Sequence, residues 1–264
     1  MLLAIDVGNT DIVMGIYDNE KLVNVWRMAT NKERSSDEFG VFFLTMLNNA
    51  GTKLTEVDSV IISSVVPNLI YSLTHSIEKY FNVQPILVEP GIKTGLNIKI
   101  DNPKELGADL IADAVAALEL YGGPLIIIDF GTATTFSAVN SKNEHLGVVI
   151  CLGVRLTAEA LTKNTAKLPN IQIKKPDKVI GKNTVDSMQS GLVYGYVGKI
   201  DYLVNKIKDE MAENGEDREK IKVIATGGMA RIIANEAKSI DEINGLLTLE
   251  GLRVIYERNK PANK

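Results

Sequence analysis

Cysteine is almost absent from this chain: Cys151 is the only one in 264 residues. A lone thiol excludes an intramolecular disulfide and fits a reducing compartment. Histidine is nearly as scarce. His75 and His145 lie far apart with no metal-ligand spacing around them, so a zinc site is not expected. No apolar run approaches the length of a membrane span, and no basic stretch followed by an apolar segment opens the chain. Neither sign of charge dominates: 29 basic against 33 acidic residues give a net charge of −4. The basic footprint of a nucleic-acid binder and the polybasic anchor of a membrane protein are both missing. These absences leave a soluble cytoplasmic protein as the expectation. Hydrophobic residues are plentiful at 45%, enough for a substantial core in one large α/β domain or two ordinary ones.

The chain also repeats itself. "AIDVGNTDIVMGIYDNEKL" from residue 4 aligns with "IIDFGTATTFSAVNSKNEHL" from residue 127 at an offset of 123, which places Asp6 on Asp129, Gly8 on Gly131 and Asn9 on Thr132. Both stretches continue through apolar alternation into a polar turn, as strands of an antiparallel hairpin do. Later elements echo as well: "DSVIISSVVP" at 58–67 and "IKVIATGGMA" at 221–230 are apolar strands ending in small residues, and each follows a helix-like stretch. The pattern predicts one β-β-β-α-β-α unit used twice. The boundary falls near Gly122-Gly123-Pro124, giving domains over 1–122 and 123–264 with a helical insertion at about 153–192. Two related α/β domains predict a hinged cleft for a small ligand.

Three stretches carry chemistry. In "DVGNT" and "DFGTATT" a strand delivers an Asp, a Gly lets the backbone turn closely, and amides with the hydroxyls of Thr10, Thr132, Thr134 and Thr135 follow. Such a bend can cradle phosphate oxygens. Paired aspartates beside phosphate require a cation between them. A plain hairpin turn with a left-handed glycine gives the same letters. In "NPKELGADLIADAVAALELYGG", Asp109 stands at a helix mouth. It is either a first-turn acid stabilising the helix by about 1 kcal/mol, or a weak base for a hydroxyl nucleophile. "ATGGMA" at 225–230 lets a nucleotide base or ribose approach bare backbone, or is an ordinary strand–helix connection. "GKNT" at 181–184 begins a helix capped by Asn183 or Thr184.

In order and spacing, "DVGNTDIV", "GAD", "DFGTATT", "GKNT" and "ATGGMA" resemble the type III pantothenate kinases over residues 3 to about 255, with "TAKLP" and "LTLEGL" adding to the likeness. The resemblance implies an α/β fold of duplicated actin-like (ribonuclease H-like) domains with mixed sheets flanking an ATP cleft. It implies phosphorylation of pantothenate to 4'-phosphopantothenate at the start of coenzyme A synthesis. ATP, Mg²⁺ and a monovalent cation, K⁺ or NH₄⁺, are implied as cofactors, and a homodimer as the assembly. By the same likeness Asp6, Val7, Gly8, Asn9, Thr10, Asp11, Ile12, Val13 and Thr132 would bind ATP. Asp6 would approach Mg²⁺ through water, and Asp129 would hold the monovalent cation. Asp109 would accept the pantothenate hydroxyl proton. Gly107, Ala108, Asp109, Leu110 and Thr184 would line the substrate pocket, Thr184 from the partner subunit.

The chain departs from the family pattern at several positions. Leu110 stands where Gly-x-Asp-Arg has its Arg, and Ile100 where many members have Tyr. Asp11 and Asp113 replace common Asn, and "CLG" at 151–153 replaces Ala-Pro-Gly. Losing a charged partner for a substrate carboxylate would cost about 1.5–3 kcal/mol. Two alternatives follow: a nucleotide-binding, non-catalytic or regulatory paralogue, or a kinase of a less acidic alcohol.

Overall fold

The computed structural model describes residues 1–260. In the first half, β1 (Leu2–Val7), β2 (Asp11–Asp18) and β3 (Lys21–Ala29) form an antiparallel meander. Then come α1 (Ser36–Asn49), β4 (Ser59–Ser64), α2 (Pro67–Phe81) and the short β5 (Ile86–Leu87). Their sheet order is β3-β2-β1-β4-β5, with β4 and β5 running parallel to β1. After β6 (Asn97–Ile98) and α3 (Ala108–Tyr121) the same plan recurs in β7 (Leu125–Phe130), β8 (Ala133–Val139) and β9 (Glu144–Leu152). The helices α4 (Val154–Lys163) and α5 (Thr184–Glu213) precede β10 (Lys222–Thr226), α6 (Ala230–Ala234), β11 (Glu242–Ile243) and α7 (Leu247–Asn259). The second sheet reads β11-β10-β7-β8-β9-β6. Apart from β6 on its edge, this is the first order again. The fold is therefore α/β with two mixed sheets built on one repeated plan.

Local chemistry explains the punctuation. Ser35 caps α1 and forms a reciprocal capping box with Glu38, satisfying two backbone donors at the helix start. Pro67 opens α2, where its missing N–H is no loss, and Asn82 closes it in a left-handed conformation. The first core gathers Ile5, Met14, Phe39, Phe43, Ile62 and Leu73 against the sheet, and the second gathers Ile126, Phe136, Val193, Ile200 and Ile233.

By compactness the described residues divide into 1–95, 101–116 and 247–260 on one side, and 96–100 with 117–246 on the other. This differs from the linear division at 122/123, for two physical reasons. α7 packs on β1, β2 and β4, where Leu249, Leu252 and Ile255 join Leu2, Ala4 and Val115 in an apolar cluster. β6 pairs in parallel with β9, Ile98 opposite His145. The expected insertion at about 153–192 is resolved into α4, an irregular stretch and the start of α5. Asn183 is the cap of α5, its side chain accepting from the Asp186 N–H at 2.9 Å. From there the helix runs unbroken for 30 residues, merging what the sequence reads as two separate helical stretches.

Candidate functional site

In both units the candidate residues stand at the carboxyl ends of a parallel strand pair, where open α/β sheets bind ligands. In the first unit Asp6 lies opposite Val13 on β2 and Ser63 on β4. The bend that follows is closed locally: the Gly8 N–H donates to Asp11 O at 3.0 Å. Thr30 braces it from the end of β3, its hydroxyl donating to Gly8 O at 2.7 Å and its N–H to Thr10 O at 2.9 Å. Gly8 does not have a positive φ; a Cβ there would sit 3.0 Å from Asp11 O. The glycine is favoured by a close approach, not by a left-handed turn. Val7 and Ile12 are buried in the core, so only their backbone remains for a ligand, while Asn9 and Thr10 are exposed. The Asp11 carboxylate accepts from Arg27 at 3.0 Å.

Asp109 sits in the first turn of α3, half-buried. Its Oδ1 accepts the Leu110 N–H at 2.8 Å and folds back over Gly107, where any Cβ would collide with it. Val65 joins this helix mouth to the first bend: its N–H donates to Val7 O at 3.0 Å, and its Cγ1 lies 3.7 Å from the space a Cβ on Gly107 would take. Burial raises the Asp109 pKa above the usual carboxylate value, against the lowering by the N–H bonds of Leu110 and of Asp109 itself. This corrects the weak base expected from the helix N-terminus alone. Desolvation outweighs the amide donors, and a raised pKa makes a stronger proton acceptor. The second acid that departs from the family pattern, Asp113, is buried one turn on and accepts from the Thr248 hydroxyl at 2.7 Å. Gly251 of α7 allows the approach, since its Cα abuts the Ala112 carbonyl.

The second bend is one residue shorter, Phe130 pairing with Thr134 where Val7 pairs with Ile12. Asp129 lies opposite Thr135 and Thr226. Glycines surround its carboxylate: a Cβ on Gly131 would sit 2.9 Å from Oδ2, and one on Gly227 would strike Oδ1. Gly131 does not lie in the left-handed region either, whereas Gly227 does, at φ +91°. The expectation that "ATGG" exposes bare backbone to a nucleotide therefore changes. Gly227 makes room for Asp129, and Gly228 is the glycine with open space beside it. Thr134 shares the face of Phe130 and Phe136 and is fully buried, so its hydroxyl does not reach the bend. Thr135 lies on the Asp129 face with its hydroxyl buried and unpartnered. Gly153, the one position of "CLG" that keeps the family pattern and a residue with no role assigned from the sequence, N-caps α4 with its Cα against the carbonyls of Thr132 and Gly131. Its contact spans 21 positions of chain, which is why no local signal marks it, and the same holds for Thr30.

Thr184 is the first residue of α5 and is exposed. It lines a groove of about 830 Å³ between α4 and α5 with Thr157, Ser187, Gly191, Gly195 and Tyr196. Among the described residues no cluster of three or more His, Cys, Asp or Glu side chains forms a metal cage, and no helix is long and apolar enough to cross a membrane.

The family model for type III pantothenate kinase matches residues 2–206. Solved structures share the fold. A Campylobacter jejuni protein described as a Baf family transcriptional activator is 21% identical, with a TM-score of 0.59 over 97% of this chain and 98% of that one. A Sinorhizobium meliloti protein described as a 2-dehydro-3-deoxygalactonokinase is 10% identical, with a TM-score of 0.57 over 100% and 98%. The ethanolamine utilization protein EutJ of Carboxydothermus hydrogenoformans is 15% identical, with a TM-score of 0.54 over 96% and 89%.

Proposed function

We propose, from the premise that this chain belongs to the type III pantothenate kinase family and is an ATP-dependent kinase, that it transfers the γ-phosphoryl group of ATP to the primary hydroxyl of pantothenate. The observation that carries this reading is Asp109, a half-buried carboxylate of raised pKa beside the first bend. In the reaction the hydroxyl oxygen bonds to the γ-phosphorus as the bond to the bridging oxygen breaks, ADP leaves, and Asp109 takes the hydroxyl proton. The loose transition state of phosphoryl transfer leaves the protein mainly positioning and charge compensation to supply. Backbone amides of the bends at Gly8 and Gly131 orient the phosphates, with Thr132 serving ATP from the second unit. Gly107 and Ala108 shape the acceptor pocket around Asp109, and Leu110 gives it an apolar wall.

The residues present fit the implied cations. Asp129 is a single carboxylate that the bare backbone of Gly131 and Gly227 accommodates, so a monovalent K⁺ or NH₄⁺ suits it better than a divalent ion needing several charged ligands. Asp6 would hold Mg²⁺ through water, the nucleotide's phosphates completing its oxygen shell. Bound cations supply neutralisation of charge on the transferring group. A homodimer with Thr184 reaching the partner's acceptor pocket belongs to the same proposal. It is supported by the exposed apolar residues Val179, Ile180 and Val185 around the start of α5. A cytoplasmic location is proposed with it.

The test is ADP release with saturating pantothenate, Mg²⁺ and K⁺; no turnover by a folded protein would reject the reading. Leu110 favours one second reading, a nucleotide-binding paralogue with a degenerate acceptor site. Leu110→Arg separates the two: a turnover that appears only in the variant supports the paralogue.

A further inference from the structure

Tyr196 stands on α5 about three turns beyond Thr184, on the groove that both line, has no role assigned above, and is buried. Its hydroxyl donates to the carbonyl of Leu152, the last residue of β9, and lies 2.7 Å from the Thr157 hydroxyl. Thr157 in turn donates to Gly153 O at 3.0 Å. Two hydroxyls from two helices thus hold the successive carbonyls of Leu152 and Gly153. Leu152 pairs with Ala133 at the start of β8, and Gly153 touches the carbonyls of Gly131 and Thr132. The corner between β9 and α4 is therefore the back wall of the second bend.

We infer that Tyr196 is a positioning residue for nucleotide binding, acting through Leu152 and Gly153 on the second bend. The physical link is the planarity of the peptide unit. In a trans peptide the carbonyl and the following N–H point in opposite directions. Gly153 fixes the side to which the Gly131 and Thr132 carbonyls turn, so it aims the N–H groups of Thr132 and Ala133 to the other side. Tyr196 keeps Gly153 in place with its hydroxyl, while Lys199, 3.8 Å above the ring, holds the ring by a cation–π contact. A phenol suits the task because its ring packs in the core while its single O–H reaches a backbone acceptor. The inference rests on the reading that the second bend serves ATP.

Tyr196→Phe keeps the ring and removes the O–H. The expected result is Mg²⁺-ATP affinity weakened roughly tenfold, from the lost hydrogen bond to the Leu152 carbonyl and a loosened corner, with the KM for the alcohol acceptor unchanged. Amide hydrogen exchange over residues 131–134 should quicken in the same variant without nucleotide. Thr157→Ser, which keeps the hydroxyl, should behave as the unaltered protein, and Thr157→Val should follow Tyr196→Phe in part. Unchanged affinity and exchange in Tyr196→Phe would overturn the inference, as would a lowered melting temperature with neither effect. If the unaltered protein binds no Mg²⁺-ATP, the kinase reading fails. The exchange measurement still decides whether Tyr196 governs the bend.

Discussion

The two bends come from matching letters and are held by different means. Around Gly8 the support is near in sequence or lies on the neighbouring strand: Asp11 closes the turn and Thr30 braces it. Around Gly131 the support comes from Gly153, Gly227 and, through the β9 corner, Tyr196. Duplication preserved strand order and the placement of Asp6 and Asp129, but each unit found its own way to stiffen the loop. Thr30 follows β3 as Gly153 follows β9, so both bends are braced from the end of their third strand; the second adds Gly227 and Tyr196, from elements beyond that meander, and inherits their fate.

The largest asymmetry is Asp109, since the resemblance assigns the second unit no proton acceptor. Asp109→Asn should lower kcat by about a thousandfold, within the range of general-base catalysis, with an unchanged circular dichroism spectrum. Because burial raises its pKa from the usual 3.8, the acid limb of the unaltered protein's pH–rate profile should lie above that value; a limb at or below it contradicts the raised base.

Acid should also tell the units apart. His145, fully buried with both ring nitrogens unpartnered, has its pKa lowered by desolvation from 6.5 to about 4. The unfolded chain therefore takes up this proton first as the pH falls. Stability present above about pH 6.5 should decline towards pH 4, by up to about 3 kcal/mol. Urea titrations at several pH values should show that slope, and His145→Leu should flatten it.

Glycine replacements probe the bends themselves. Gly153→Ala forces a methyl group into the Thr132 carbonyl and should destabilise by about 2 kcal/mol, with weakened ATP binding. Gly8→Ala meets only Asp11 O at 3.0 Å and should cost about 1 kcal/mol or less. Equal losses, measured by calorimetry, would erase the distinction between the two designs. Smallest of all, Asp11→Asn removes an exposed ion pair with Arg27 and should change stability by less than about 0.5 kcal/mol.

What the letters disclose is what depends on neighbours along the chain. The repeat at an offset of 123 foretells the shared strand order, and "GAD" foretells a helix mouth carrying Asp109. Other features depend on folding at a distance. Alternation alone cannot say that Thr134 falls on the core face, because that depends on where the shorter second turn starts β8. The raised pKa of Asp109 comes from burial, which outweighs the helix end that is visible in the sequence. "LTLEGL" adds to the family likeness without saying where α7 packs; Gly251 against Ala112 and Thr248 on Asp113 reveal which sheet it serves.

That helix has a consequence for synthesis. Its residues leave the ribosome after the whole of the second unit, yet they complete the first one's apolar cluster. The earlier-made sheet must wait, partly uncovered, while the later-made sheet is translated and matures. Chaperone dependence and sensitivity to premature termination should therefore concentrate on the portion of the protein that is made first.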